Sequence, residues 1–225
     1  IKLLGSERGI SMTGVLGGLV SSTAVTISLS NRSRRQTRLA RSFAIAIVVA
    51  WAMMFARIIF QVGVVNAQLL AAAWLPLVIS AIAGFAFSIY LLLLQKGRDG
   101  SGRVEFTNPV DLLSALRFGL LYAVILLITR SAQLYLGEGG LLLSSFLAGF
   151  SDSNAITLSL AELSRAGAVS AQTATQGLVL AAMTNTIFKG LIVYRSGSPA
   201  LRRLTLPAAV VMLVLGVIVV VVWPS

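Results

Sequence analysis

The chain has 225 residues, 57% of them hydrophobic, a net charge of +11 and a mean hydropathy of +0.92. Its charges fall between long apolar runs, which describes a polytopic all-α membrane protein with the lipid bilayer as a partner. The basic excess reads as the positive-inside signal of membrane loops, and no nucleic-acid partner is expected, because no basic stripe interleaves with aromatics. Without cysteine or histidine the chain has no disulfides, no usual Zn or Cu ligand set and no cysteine- or histidine-based catalytic pair, so no enzyme and no resident cofactor are expected.

In chain order, IKLLGSERG (1–9) looks like the tail of an earlier helix. Residues 10–30 are apolar but broken by Gly14, Gly17, Gly18, Ser21, Ser22 and Thr23. NRSRRQTRLAR (31–41) holds five arginines and no acid. Residues 42–60 form a clean span of bilayer length. Residues 61–68 are an uncharged link, and 69–94 form a second span with Pro76 near its start. QKGRDGSGR (95–103) is a Gly-rich polar linker. FTNPVD then signals a helix start, with Thr107 or Asn108 as cap, Pro109 in the first turn and Asp111 at the positive dipole end. That helix runs to about residue 129. Residues 140–163 form a second broken segment, and 173–194 and 204–223 are the last spans, separated by RSGSPALRR.

GFSDSNAIT (149–157) has a twin, GLVSSTAVT (18–26), 131 positions earlier. The register extends from Glu7 and Glu138 through Ser28-Leu29 and Ser159-Leu160 to Leu75-Pro76 and Leu206-Pro207. One offset sustained this far indicates an internal duplication. Residues 1–94 are then repeat 1, 95–104 a cytoplasmic linker and 105–225 repeat 2. Repeat 1 is expected to lack its first helix, which would precede Ile1.

Loop charges decide how the broken segments lie. If both dip in and return on one side, thirteen basic loop residues face the cytoplasm and only Arg130 and Arg165 face out; full crossings give nine against six. The bias favours re-entrant hairpins. Each repeat then has three transmembrane helices plus one broken or re-entrant helical hairpin, and the two repeats are inverted.

A hairpin tip near the bilayer middle has free backbone groups, tolerated only inside protein or beside water. Gly18 and Gly149 would permit the turn. The tips would line one ion- or substrate-binding site with Ser21, Ser22, Thr23, Ser151, Asp152, Ser153 and Asn154, joined by Asn185. Asp152 is the carboxylate placed deep in the membrane, so it is the candidate metal or cation ligand or proton carrier. The competing reading is a helix cap, or the partner of Arg117, Arg57 or Lys189. Serines and threonines in apolar helices also bond the preceding turn, and Asn185 could be an interhelical bond. Arg57 and Lys189 lie near predicted span ends, where snorkelling is the ordinary explanation.

GVLGGLVSSTAVTISLSNRSR, the TNP opening repeat 2, GFSDSNAITLSLAEL and MTNTIFKG together resemble the C-terminal membrane domain of MgtC/SapB-type bacterial proteins. The resemblance implies a bacterial inner-membrane, multi-pass protein, a link to magnesium and an MgtC-like domain upstream. Asn154 stands where that resemblance implies a second acidic residue. The expected function is a secondary transporter or channel for a small ion or polar solute. A cation such as Mg²⁺, Na⁺ or H⁺ suits the oxygen ligands. An anion at the half-helix N-termini and a membrane-embedded regulatory or assembly protein are the alternatives, and a homo-oligomer is compatible with either.

Overall fold

The computed structural model describes residues 6–94, 139–150 and 153–222, with isolated positions between 120 and 137. Among the described residues there are seven α-helices and no strand: α1 Ser6–Arg35, α2 Ala40–Val65, α3 Ala67–Leu93, α4 Gly139–Phe150, α5 Ser153–Arg165, α6 Ala171–Ser196 and α7 Pro199–Val222. A single 3₁₀ turn, Thr37–Leu39, precedes α2. The helices α2, α3, α6 and α7 are long and apolar enough to cross a membrane. At 1.5 Å per residue, a helix of 26 residues such as α2 reaches about 39 Å, past a hydrocarbon core of about 30 Å. The predicted helix ending near residue 129 lies mostly outside the described residues; Leu120, Val124 and Leu127, which are described, are helical and exposed.

Helices α2 and α6 outrun their predicted spans at both ends, and α3 and α7 begin earlier than predicted, because flanking residues continue as helix. The expected link at 61–68 shrinks to Asn66, the one non-helical residue between α2 and α3. Asn66 makes so short a join workable: its Oδ1 accepts from the Leu69 amide at 3.0 Å, an N-terminal cap for α3. Ser170 caps α6 in the same way, accepting from the Thr173 amide at 3.0 Å. Ser198 caps α7 through the Leu201 amide at 3.2 Å, with Pro199 in the first helical position, where its missing N–H costs nothing. The start of α7 therefore falls inside the expected separator RSGSPALRR.

The chain divides into two compact units, and each draws on both sequence copies. One comprises residues 1–57, 75–104 and 186–222; the other comprises 58–74, 105–185 and 223–225. In the first unit the core is built on α2, where Phe43, Ile47, Trp51, Met54 and Phe55 are buried. The Trp51 indole donates to Thr26 Oγ1 at 2.9 Å, tying α1 to α2. Ser80 Oγ donates to the Met212 carbonyl at 3.4 Å, tying α3 to α7. Three further bonds gather helix ends: the Ser198 amide donates to Ser33 Oγ at 2.9 Å, Arg34 donates to the Arg195 carbonyl, and Arg41 to the Leu94 carbonyl.

In the second unit, Leu69, Leu141, Ile156, Leu160 and Leu178 form the buried core. Asn66 Nδ2 donates to the Ala161 carbonyl at 3.4 Å, joining the α2–α3 corner to α5. Gly177 lets α6 approach closely: a Cβ there would lie 2.9 Å from Ser145 Oγ and 3.0 Å from Leu160 Cδ1.

Candidate functional site

The first broken segment, α1, leaves helical geometry at Ser21, with φ −158° and ψ 103°. Its cause is local. Ser21 Oγ accepts from the Ala24 amide at 3.2 Å, so the serine caps a new half-helix that begins at Ser22. The break thus falls three residues after Gly18, which is itself helical; Gly18 serves close packing rather than the turn. A Cβ on Gly18 would lie 2.7 Å from Ala50 Cα and 3.1 Å from Ala50 Cβ.

The half-helix begins with a buried polar cluster. Ser22 is 3% exposed, while Ser21 and Thr23 are half-buried. Thr26 Oγ1 donates to the Ser22 carbonyl at 2.7 Å and accepts from Trp51. Lys189 of α6 is wholly buried, with Nζ 3.2 Å from Ser22 Oγ and 3.0 Å from Met54 Sδ. The lysine does not snorkel. Helix α6 runs seven residues past it to Ser196, about 10 Å of helix axis, and the side chain turns inward to α1.

The second broken segment comprises α4 and α5. Ser151 and Asp152 lie outside the described residues, as does Arg117. Of the other expected site residues, Ser153 is 1% exposed and its hydroxyl has no hydrogen-bond partner among the described residues. Asn154 is half-buried. Asn185, 2% exposed, donates Nδ2 to the Gly149 carbonyl at 2.8 Å. Gly149 is helical, the penultimate residue of α4, and a Cβ there would lie 2.6 Å from the Ala181 carbonyl oxygen and 2.7 Å from Thr184 Cβ. It too is a packing position. At the far end of α5, exposed Arg165 bonds Glu162 at 2.7 Å. That hydrogen bond holds the Glu162 carboxyl below its ordinary range and the Arg165 guanidinium above its own. The pair is solvent-screened and contributes little to stability.

The two segments repeat each other contact by contact at the offset of 131. Thr157 donates to the Ser153 carbonyl at 2.6 Å, as Thr26 does to Ser22. Gly149 sits against Ala181 and Thr184, as Gly18 sits against Ala50 and Met53. The exceptions are informative: Asn185 corresponds to Met54 and Lys189 to Ile58, which is buried and apolar. The structure brings Ser21, Ser22 and Thr23 together in one unit and Ser153, Asn154 and Asn185 in the other. Sequence reasoning missed Trp51 and Met54 beside the first broken segment, and it assigned Lys189 to a span end or to pairing with Asp152 rather than to Ser22. The 131 register carried a signal for the lysine, a charge opposite an isoleucine in the duplicate.

Residues 1–197 match the family described as Domain of unknown function (DUF4010). The chain belongs to the DUF4010 family. A relative from Aquifex aeolicus (strain VF5), described as an uncharacterized protein, is 35% identical over 196 residues, covering 85% of this chain and 84% of the relative. No solved structure matches the chain. The DUF4010 match takes in both broken segments, α2, α3 and α6, and ends just before α7.

Proposed function

We propose that this DUF4010 chain is a membrane transport protein, a secondary transporter or channel for a small ion or polar solute, without enzymatic activity. The observation that carries the reading is the break at Ser21: an interrupted helix in an apolar chain, followed by buried Ser22, Thr26 and Lys189. Irregular backbone and charge are tolerated at membrane depth where they serve a pathway or a site.

The finer architecture proposed is a pair of inverted repeats with re-entrant tips. The sequence duplication supports it: GLVSSTAVT (18–26) and GFSDSNAIT (149–157) recur at one offset, and in each copy the threonine hydroxyl donates to the carbonyl four residues before it. The midplane site proposed on that architecture is lined by Ser21, Ser22, Thr23, Ser153, Asn154 and Asn185 together with Ser151 and Asp152.

The cation reading, for Mg²⁺, Na⁺ or H⁺, rests on Asp152 as ligand or proton carrier. The positive-inside pattern and the Aquifex relative support a bacterial inner membrane. An MgtC-like domain upstream and self-assembly belong to the same proposal. One observation favours a regulatory or assembly role instead: Gly18 and Gly149 pack tightly on neighbouring helices, the usual work of small residues in membranes.

Ion flux into proteoliposomes tests the proposal. The purified chain should carry Mg²⁺, Na⁺ or H⁺ above protein-free vesicles, and Asp152→Asn should abolish that flux while the protein stays folded. Flux equal to empty vesicles for these ions and for small anions would leave the regulatory reading.

A further inference from the structure

Three helix ends meet at one corner of the first unit, and they carry its arginines. The Ser198 amide donates to Ser33 Oγ at 2.9 Å and Arg34 donates to the Arg195 carbonyl, which fixes the end of α1 against the junction of α6 and α7. The acceptor of Arg34 is a neutral carbonyl, so the bond orders the side chain and leaves its charge standing. Among the described residues, Arg35, Arg38, Arg195 and Arg203 are exposed and take part in no ion pair.

Two exposed apolar stripes run up to this corner. Ile187, Leu191 and Tyr194 on α6, and Pro207, Val210, Val214 and Val217 on α7, follow one another at three or four positions, the spacing of one helix face. Both helices are long and apolar enough to cross a membrane, where such stripes face acyl chains. Arg195 directly follows the first stripe, and Arg203 heads the second, four positions before Pro207. The Arg202 guanidinium lies 5.1 Å over the Tyr194 ring, which holds a cation beside a tyrosine at the end of a span. The ring face attracts the charge but provides no oxygen acceptor for the N–H donors.

The positive-inside tendency accounts for the sign of these residues. It does not account for their being held together at the head of two lipid-facing stripes. An acyl chain lying on either stripe brings its phosphate to the arginines. Guanidinium groups pair with phosphate oxygens through parallel N–H bonds, and basic clusters between helix ends favour anionic headgroups. A soluble acidic protein would meet the charge and make no use of the stripes.

We propose that Arg195, Arg202 and Arg203, with Arg34 beside them, bind the phosphate of an anionic phospholipid whose acyl chains lie on α6 and α7. The site requires that the chain span a membrane and is independent of transport.

Melting in detergent tests it. The purified chain, in a neutral detergent, is titrated with phosphatidylglycerol or with phosphatidylcholine of the same acyl chains. Phosphatidylglycerol should raise the melting temperature saturably, as a ligand of the folded state does, and phosphatidylcholine should not. Each arginine near an anionic lipid contributes about fivefold in affinity, so Arg202→Gln with Arg203→Gln should raise the half-saturating concentration roughly thirtyfold. Arg165→Gln, in the other unit, should leave it unchanged. If the double variant does not fold, Arg195→Gln and Arg203→Gln singly decide, each with a shift of about fivefold. No response to phosphatidylglycerol, or an equal response to phosphatidylcholine, would overturn the site. So would a response unchanged in the arginine variants, or one weakened as much by Arg165→Gln, which would reduce the effect to net charge. Glycerol 3-phosphate, which has the phosphate without acyl chains, should give no rise; a rise equal to that of phosphatidylglycerol would make this a site for free phosphate and overturn the lipid assignment.

Discussion

Replacing Gly18 by alanine places a methyl group 2.7 Å from the Cα of Ala50, a backbone atom that cannot rotate away. Carbon atoms in contact rest at roughly 3.5–4.0 Å, so α1 and α2 must separate locally by close to 1 Å. Overpacking of this kind costs about 1–3 kcal/mol. Alanine also favours a helix over glycine by about 0.8–1.0 kcal/mol, which offsets part of that cost. Gly190→Ala makes the comparison clean. It lies inside α6, and a Cβ there meets nothing nearer than 3.9 Å, so it receives the helix gain alone. The propensity term cancels between the variants, leaving a predicted difference of about 1–3 kcal/mol. For a chain of this length that corresponds to very roughly 2–12 °C in melting temperature, at about 2–4 °C per kcal/mol. Thermal unfolding in one detergent, followed by tryptophan fluorescence, measures it. Equal melting temperatures for Gly18→Ala and Gly190→Ala would refute the close approach of α1 to α2.

Gly149→Ala should behave as Gly18→Ala does, because its Cβ would meet the Ala181 carbonyl oxygen at 2.6 Å; a melting temperature at or above wild type would contradict the packing of α4 on α6. Asn185→Leu leaves the Gly149 carbonyl without its side-chain donor and should cost about 1–3 kcal/mol, measured by the same melt. Trp51→Phe removes the donor to Thr26 and should lower stability by about 1 kcal/mol or more, whereas Trp74→Phe, at a half-exposed position, should change it little. Glu162 is held below its ordinary range by Arg165, so its contribution is present at neutral pH and lost as pH falls through the carboxylate range. Glu162→Gln should remove that acid-sensitive part and leave the neutral-pH melt almost unchanged.

The membrane class and the four long spans were legible in the sequence, because hydropathy survives without any knowledge of packing. The offset even anticipates contacts: Ala50 and Ala181, which receive the two glycines, stand in register. Helix ends were less legible. Residues 61–68 contain no charge or glycine–proline pair that compels a long loop, and a single capped Asn66 sufficed. The break was displaced from Gly18 to Ser21 because a serine able to cap the next half-helix ends a helix as effectively as a flexible glycine does. Lys189 was misplaced for a geometric reason. Counting residues to the end of the apolar run put it near an interface, but α6 continues to Ser196 and the lysine's reach was taken up by Ser22 and Met54. Asp152, on which the cation reading depends, lies outside the described residues.

The proposal turns on the inversion of the two copies, and cysteine accessibility tests that directly in a chain that has no cysteine of its own. Gln36 beside the start of α2, Ser170 beside the start of α6 and Ala200 in the first turn of α7 are all exposed. Single cysteines at these positions are labelled with an impermeant maleimide in intact cells and again after lysis. An inverted pair predicts that Ser170→Cys is labelled in intact cells, while Gln36→Cys and Ala200→Cys react only after lysis. Labelling of Ser170→Cys and Ala200→Cys from the same side, or of Gln36→Cys from outside, would contradict the inversion and the shared midplane site built on it.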